Sequence, residues 1–371
     1  MKKIVFSIIL ATLSFLLSDR SSAQEPSPSK TEDGVAYYDG ADFPLFGKAS
    51  DATDGRYRRL PVSLKGVCRE PVWYLGQHSA GLYIRFRSDS PFIRAKWVST
   101  FDNHENHMTD TGVKGLDLYF LNGGTWRFAG SGRPQGKNNE ATMVANMTRE
   151  EREYMLYLSL YDGIDSIEIG VDENASIGFP EIDSPRSGSQ IVMYGTSILQ
   201  GGCVSRPGMA HTSILGRRLD REVINLGFRG NALLDMEIAQ LMASVENPAL
   251  YVLDYAPNAT AKDIAEKGEA FFRILRDAHP KTPVIFVEDP IFAHAMLDTK
   301  IRREVSEKNA AQKALYESLR SKGERHIYYV PADKLIGDDG EATVDGIHFT
   351  DLGVSRYVEA MLPTMRKALR Q

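Results

Sequence analysis

The chain is poor in cysteine, in excess charge and in long apolar runs. Among 371 residues there are two cysteines, Cys68 and Cys203. One pair is too few for a disulfide framework, and the two fall in what read as separate domains, so both are read as free, buried thiols. The formal net charge is -5 and no basic stripe is present, which argues against a nucleic-acid partner. Beyond Leu17 no segment is apolar enough to cross a membrane. Internal repeats and low-complexity segments are missing too. What remains is ordinary globular composition, with 42% apolar residues. The length suits about two domains.

The chain opens with Lys2 and Lys3, an apolar run from Ile4 to Leu17, and Ser21-Ser22-Ala23. A positive start, a short apolar stretch and a small residue form an export signal, here cleaved before Gln24. As a membrane anchor the run is too short, and Asp19 and Arg20 follow it directly. Residues 1–23 are therefore read as a signal peptide, with no stable membrane insertion. Residues 24–42, rich in Pro, Ser, Asp and Gly, read as a tether.

Residues 43–178 read as an all-β sandwich. Apolar and polar side chains alternate over residues 81–87, 92–98 and 166–171. Leu116 to Phe120 leads into Asn122-Gly123-Gly124, a hairpin signal. Many short strands at regular spacing with turn signals suit two packed antiparallel sheets. The loop Asp102–Thr111 holds His104, Glu105 and His107. Their spacing is not that of a zinc-binding helix, and the stretch reads as a solvated loop with no metal. Asp117 stands inside a strand-like run, where a carboxylate needs solvent or an arginine partner.

A Pro, Ser and Gly linker ends at Ser189, and the pattern changes. From residue 188 to the end, short apolar runs alternate with helical periodicity. Strands are expected at 190–194, 222–226, 250–255, 284–288 and 327–330. Helices are expected at 212–219, 233–243, 261–278, 302–321 and 352–369. Such a β-α alternation implies a parallel sheet covered on both faces, and five strands suit a flavodoxin-like order.

The residues with chemical potential stand where these strands end. Ser197 follows the first strand, beyond Gly195. Gly227 follows the second, and Asn258 the third. Near the C-terminus, Asp345 precedes His348 by three residues, a spacing that lets its carboxylate reach back to the imidazole. Each has an ordinary explanation as a turn or capping residue. Together they supply a nucleophile, a base, an orienter for the base and oxyanion donors, on the sheet edge where α/β proteins place their sites.

With these four blocks the second domain resembles the SGNH (GDSL-type) hydrolases. Ser197, Gly227, Asn258 and His348 match the four residues of that name, and Asp345 matches the Asp of the family's Asp-x-x-His. The run Asp345–Gly353 is the most specific piece. Gly115-Leu116-Asp117-Leu118-Tyr119 is similar to the Gly-x-Asp-Leu-Tyr motif of an N-terminal domain joined to such hydrolases in bacteria. Two places depart from the pattern: Thr196 stands where Gly-Asp-Ser has Asp, and Ala256 stands two residues before Asn258 in place of a frequent Gly.

The resemblance implies an α/β flavodoxin-like SGNH domain behind a jelly-roll-like β-sandwich. It implies a Ser197–His348–Asp345 triad, with an oxyanion hole from the N–H groups of Ser197 and Gly227 and the amide of Asn258. No metal or organic cofactor is required. Exported members of this type resemble carbohydrate esterases, so an acetyl ester on a polysaccharide is the expected substrate and the periplasm or the exterior the expected location. A lipase or thioesterase is the enzyme alternative, and a catalytically silent carbohydrate-binding protein the non-enzyme one. Arg206, in the loop after the nucleophile, is a candidate substrate contact.

Overall fold

The structure is a computed structural model that describes residues 25–370; the anticipated signal peptide lies outside the described residues. The first part contains eleven strands: β1 (Lys30–Glu32), β2 (Val35–Asp39), β3 (Leu45–Phe46), β4 (Tyr83–Ser88), β5 (Ile93–Ser99), β6 (Leu116–Asn122), β7 (Thr125–Gly132), β8 (Asn138–Val144), β9 (Arg152–Tyr157), β10 (Ile164–Asp172) and β11 (Ile177–Gly178). They form two antiparallel sheets, β1-β2-β10-β5-β8 and β11-β4-β9-β6-β7, with β3 also pairing β4. Ala95, Trp97, Ile167 and Ile169 of one sheet meet Phe86, Leu118, Tyr154 and Leu156 of the other in a shared core. The strict alternation of β5 follows from its having one face in that core. The β6–β7 turn pairs Asn122 with Thr125, and Gly123 and Gly124 take the positive φ that a two-residue hairpin loop demands.

One expectation for this part needs correction. The stretch 24–42 is not a plain tether. It carries β1 and β2, and Val35, Ala36, Tyr37 and Tyr38 are buried. Four apolar residues between Gly34 and Asp39 are too few to stand out in a polar surrounding. The sandwich expected here is present, and one connection of it carries a short helix, α1 (Glu70–Gly76), between β3 and β4. That helix is too short to show a period. It packs Val72, Trp73 and Leu75 onto Tyr194, Phe228 and Ala232 of the second part.

The second part holds β12 (Arg186–Gly195), β13 (Arg221–Gly227), β14 (Leu250–Asp254), β15 (Val284–Val287) and β16 (Ile327–Val330). All pairings are parallel, in the order β13-β12-β14-β15-β16. Numbered within the domain this is 2-1-3-4-5, the flavodoxin-like order expected. The helices, after a short α2 (Asp110–Val113) in the first part, are α3 (Ser197–Gln200), α4 (His211–Leu219), α5 (Met236–Ala243), α6 (Ala261–Ala278), α7 (Thr299–Ser321) and α8 (Asp351–Ala368). Successive residues of β12 enter opposite cores. Ile191 and Met193 join the one under α8, and Val192 and Tyr194 the one under α5 and α6. Among the described residues no helix is long and apolar enough to cross a membrane.

The two parts are locked by buried polar groups. Asp117, fully buried, accepts from Arg206 Nη1 at 2.7 Å, from the Gly208 N–H at 2.9 Å and from Ser131 Oγ at 2.7 Å. Arg59, also buried, donates to the carbonyls of Asn225 and Gly227 at 3.0 and 2.9 Å, at the carboxyl end of β13.

Two outcomes follow. Asp117→Ala strands the Arg206 guanidinium in a half-buried place, and removal of one partner of such a pair costs about 3 kcal/mol. Urea unfolding checks this; an unchanged midpoint would refute it. The second concerns pH. Burial raises the Asp254 carboxyl, which accepts from Tyr357 Oη at 2.8 Å, to about 7. Burial raises Asp289 to about 6, against the pull of Lys308. In the unfolded chain both ionise near about 4. Folded, these two carboxyls thus hold more protons across that window, and what they contribute to stability drops as pH rises through it. Burial lowers His78 and His211, which pull the other way over the same range, so the difference is the test: the slope of melting temperature against pH between 5 and 8 should be more positive in Asp254→Asn than in the wild type, and equal slopes would contradict the assignment.

Candidate active site

Ser197 is placed by a tight strand-to-helix turn. A side chain at Gly195 would meet the Asp254 carbonyl at 2.7 Å and Leu199 at 2.9 Å, so only glycine lets β12 end against β14. Thr196 caps α3, its Oγ1 accepting from the Ile198 N–H at 3.2 Å. Thr and Asp are both good N-caps, which explains why Thr is tolerated there. Ser197 is the first residue of α3, so its own N–H has no intrahelical acceptor. Gly201, with φ +109°, closes the helix after one turn.

Asp345 and His348 come from the loop before α8. Asp345 Oδ1 accepts from the N–H groups of Ile347 and His348 at 3.0 and 2.8 Å, and Gly346 takes the positive φ of the turn. Asp345 Oδ2 lies 2.7 Å from His348 Nδ1, and His348 Nε2 lies 2.8 Å from Ser197 Oγ. Partial burial pushes the Asp345 carboxyl up, but the hydrogen bonds from the His348 ring and the two backbone N–H groups outweigh it and bring it down to about 2. A carboxylate, an imidazole and a hydroxyl thus form an unbroken chain.

They open onto a cleft of ≈ 330 Å³. Ser197, Gly230, Asn258 and His348 are among its lining. Ile198, Phe292, Ile301, Val305 and Ile347 make an apolar wall, and Arg229, Asp289, Glu304 and Lys308 bring charge. Asn258 Oδ1 accepts from the Ala232 N–H at 3.3 Å, which leaves Nδ2 as the free end of the amide.

Two expected site residues fall elsewhere. The Gly227 N–H is already given to Asn225 Oδ1 at 2.9 Å, and Gly227 is buried against α3, where a side chain would meet the Gln200 nitrogen at 2.3 Å. Its glycine is needed for packing and is not a free donor. Gly230, three residues on, lines the cleft instead, with φ +66° and an N–H that meets no acceptor among the described residues. The stretch Gly227-Phe228-Arg229-Gly230 offers two glycines, and only the fold ranks them. Arg206 is not at the cleft. Its guanidinium is taken by Asp117 and by Tyr119 Oη at 2.8 Å, and stacks on Phe128 at 3.9 Å.

The first part supplies contacts to the site, among them ones from Tyr161, His78 and Leu160 that no local pattern announced. Tyr161 Oη donates to the Ser197 carbonyl at 3.1 Å. Gln200 Nε2 bonds His78 Nδ1 and the Leu160 carbonyl, both at 3.1 Å, and its Oε1 accepts from the Arg229 N–H at 3.0 Å. The loop Asp102–Thr111 is not simply solvated. Glu105 pairs with Arg229, the His107 ring lies 5.2 Å from the His348 ring, and Thr109 and Thr111 donate to the Ser205 carbonyl. Cys68 and Cys203 are both free and buried, as expected.

This arrangement has relatives. The model of the GDSL-like lipase/acylhydrolase family matches residues 188–366. That of the N-terminus of SGNH-hydrolase-type esterases, named GxDLY, matches residues 35–177. A solved structure described as a GDSL-like lipase from Bacteroides ovatus is 37% identical, with a TM-score of 0.86, covering 91% of this chain and 98% of that one. A salicylyl-acyltransferase of a tetracycline biosynthetic pathway shares the fold at 16% identity, with a TM-score of 0.72 over 94% of this chain and 98% of its own. A family two carbohydrate esterase from Cellvibrio japonicus does so at 12% identity, with a TM-score of 0.55 over 94% of this chain and 95% of its own. None of the curated proteins compared with the chain matches it. Likeness to the Bacteroides protein over nearly its whole length, with both family models in their expected halves, makes this chain a member of the GDSL-like lipase/acylhydrolase (SGNH) family, an esterase or acylhydrolase behind a GxDLY N-terminal domain.

Proposed function

We propose that the protein is an exported serine esterase that removes acyl groups, acetyl foremost, from carbohydrate. The observation that carries the reading is the chain of 2.7 and 2.8 Å contacts from Asp345 through His348 to Ser197 at the head of the cleft. His348 Nε2 takes the Ser197 proton as Oγ attacks the ester carbonyl. Asp345, ionised above about 2, holds the Nδ1 proton and stabilises the imidazolium. The N–H groups of Ser197 and Gly230 and the Asn258 amide receive the oxyanion. His348 passes its proton to the leaving alcohol, and water then releases the acid by the same relay in reverse.

The carbohydrate part of the reading is supported by the shared fold of family two carbohydrate esterases, one of which was solved with cellohexaose. The export signal over residues 1–23 agrees with a polymeric substrate outside the cytoplasm. One observation favours a longer acyl chain, and with it the lipase or thioesterase reading. Ile347, 42% exposed, lines the cleft beside Phe292, and Ile291 and Met296 are exposed nearby.

Ser197→Ala should lower kcat by about 10⁵-fold or more. Asn258→Ala should lower it by about 10²–10³-fold with little change in KM. Wild-type turnover in either variant would remove that residue from the mechanism. Substrate class is read from acetate release on a panel of acetylated polysaccharides beside a chain-length series of nitrophenyl esters. Acetate release with acetyl preferred is expected. Preference for long esters without acetate release would move the assignment to lipid or thioester substrates.

A further inference from the structure

We propose that the protein carries a zinc site built across its two domains by His107, Cys203, Asp345 and His348, and that zinc bound there silences the esterase. One ligand atom from each residue lies within 4.8 Å of all the others. A tetrahedral zinc with bonds of about 2.0–2.3 Å holds its donors about 3.3–3.8 Å apart, so side-chain movements of about 1 Å close the set. Two imidazoles, a thiol and a carboxylate are the nitrogen, sulfur and oxygen donors that zinc accepts. Calcium and magnesium prefer oxygen alone.

The two residues that acyl transfer does not use are held as ligands would be. Cys203 follows Gly201-Gly202 with φ +67°, a left-handed conformation that a residue with a side chain adopts at a cost. Its thiol is buried and in no disulfide. His107 sits half-buried on the first domain's loop over the site. Asn106 Oδ1 accepts from His107 Nδ1 at 3.2 Å, so Nε2 keeps the lone pair that a metal needs. A hydrogen bond to the other ring nitrogen is the usual support of a metal-bound histidine.

Inhibition follows from the atoms involved. His348 Nδ1 faces Asp345 and Nε2 faces Ser197. Whichever nitrogen the metal takes is one that the proton relay requires. Cys203 gives up its thiol proton to solvent as the zinc–sulfur bond forms, and the metal then ties the Asp102–Thr111 loop down over the nucleophile. Metal occupancy and turnover exclude each other, and the switch operates on any ester that the cleft accepts.

The test uses the full mature protein with zinc chloride in a metal-buffered solution and nitrophenyl acetate as reporter. Zinc should inhibit, and EDTA should restore the rate. Cys203→Ala and His107→Ala should each leave the metal-free rate unchanged and raise the inhibitory zinc concentration by about 10-fold or more. A second readout needs no activity. Cobalt(II) titrated into Ser197→Ala should bind at one equivalent, with a thiolate-to-cobalt absorption band that Cys203→Ala in the same background lacks. Equal zinc sensitivity in His107→Ala and wild type, or cobalt bound without the thiolate band, would overturn the site. Should Cys203→Ala not fold, His107→Ala alone carries the comparison.

Discussion

A carboxylate with no exposure must be matched by donors or it unfolds its surroundings, and Asp117 is such a group. Two of its three donors, Arg206 and the Gly208 N–H, belong to the loop that leaves the nucleophile helix. The charge is satisfied only when the β-domain sits on the α/β domain in this one arrangement. The same loop is held from the far side, because Asp351 at the start of α8 accepts from the N–H and Oγ of Ser205 at 3.0 and 2.6 Å. Ser197 stands before that loop, and His348 stands just before α8. A single clamped segment therefore brings the Ser197 and His348 side chains together.

The nucleophile helix shows why such clamping is needed. Four residues cannot make a helix that holds itself. Thr196 and Gly201 close α3 locally, but Tyr161, His78 and Leu160 grip it from the first domain. Arg59 does the same for the end of β13, with its guanidinium spread over four carbonyls. Burial pushes that guanidinium below its usual range, because the junction is dry. The GxDLY domain is thus part of the scaffold that holds α3 and the candidate active site.

Donors and acceptors in a folded chain are finite, and a group spent on structure is not available to a substrate. Gly227 and Arg206 illustrate this. Both have the right chemistry and stand near the nucleophile in sequence, yet Asn225 holds the one and Asp117 the other. Among the described residues, the groups by the cleft whose hydrogen bonds are open are the first N–H of α3, the Gly230 N–H and the free end of the Asn258 amide, and these are the proposed oxyanion donors.

The sequence by itself determined what local pattern can carry. The alternation of short apolar runs with helical periods led to the parallel sheet and its order, and the paired strand signals led to the sandwich. The contact of Asp345 with His348 was legible because three residues on one turn set it, and the turn at Ser197 because a glycine-bounded strand end is a local feature. The tertiary structure alone decided which glycine faces the cleft, where Arg206 points, that residues 35–38 join a sheet, and that the His107 loop reaches His348. Each of these depends on partners distant in the chain, as Asp117 and Arg206 are at 89 residues apart. Periodicity and turn chemistry report on neighbours within a few residues, whereas a buried charge finds its counter-ion only when whole domains have docked.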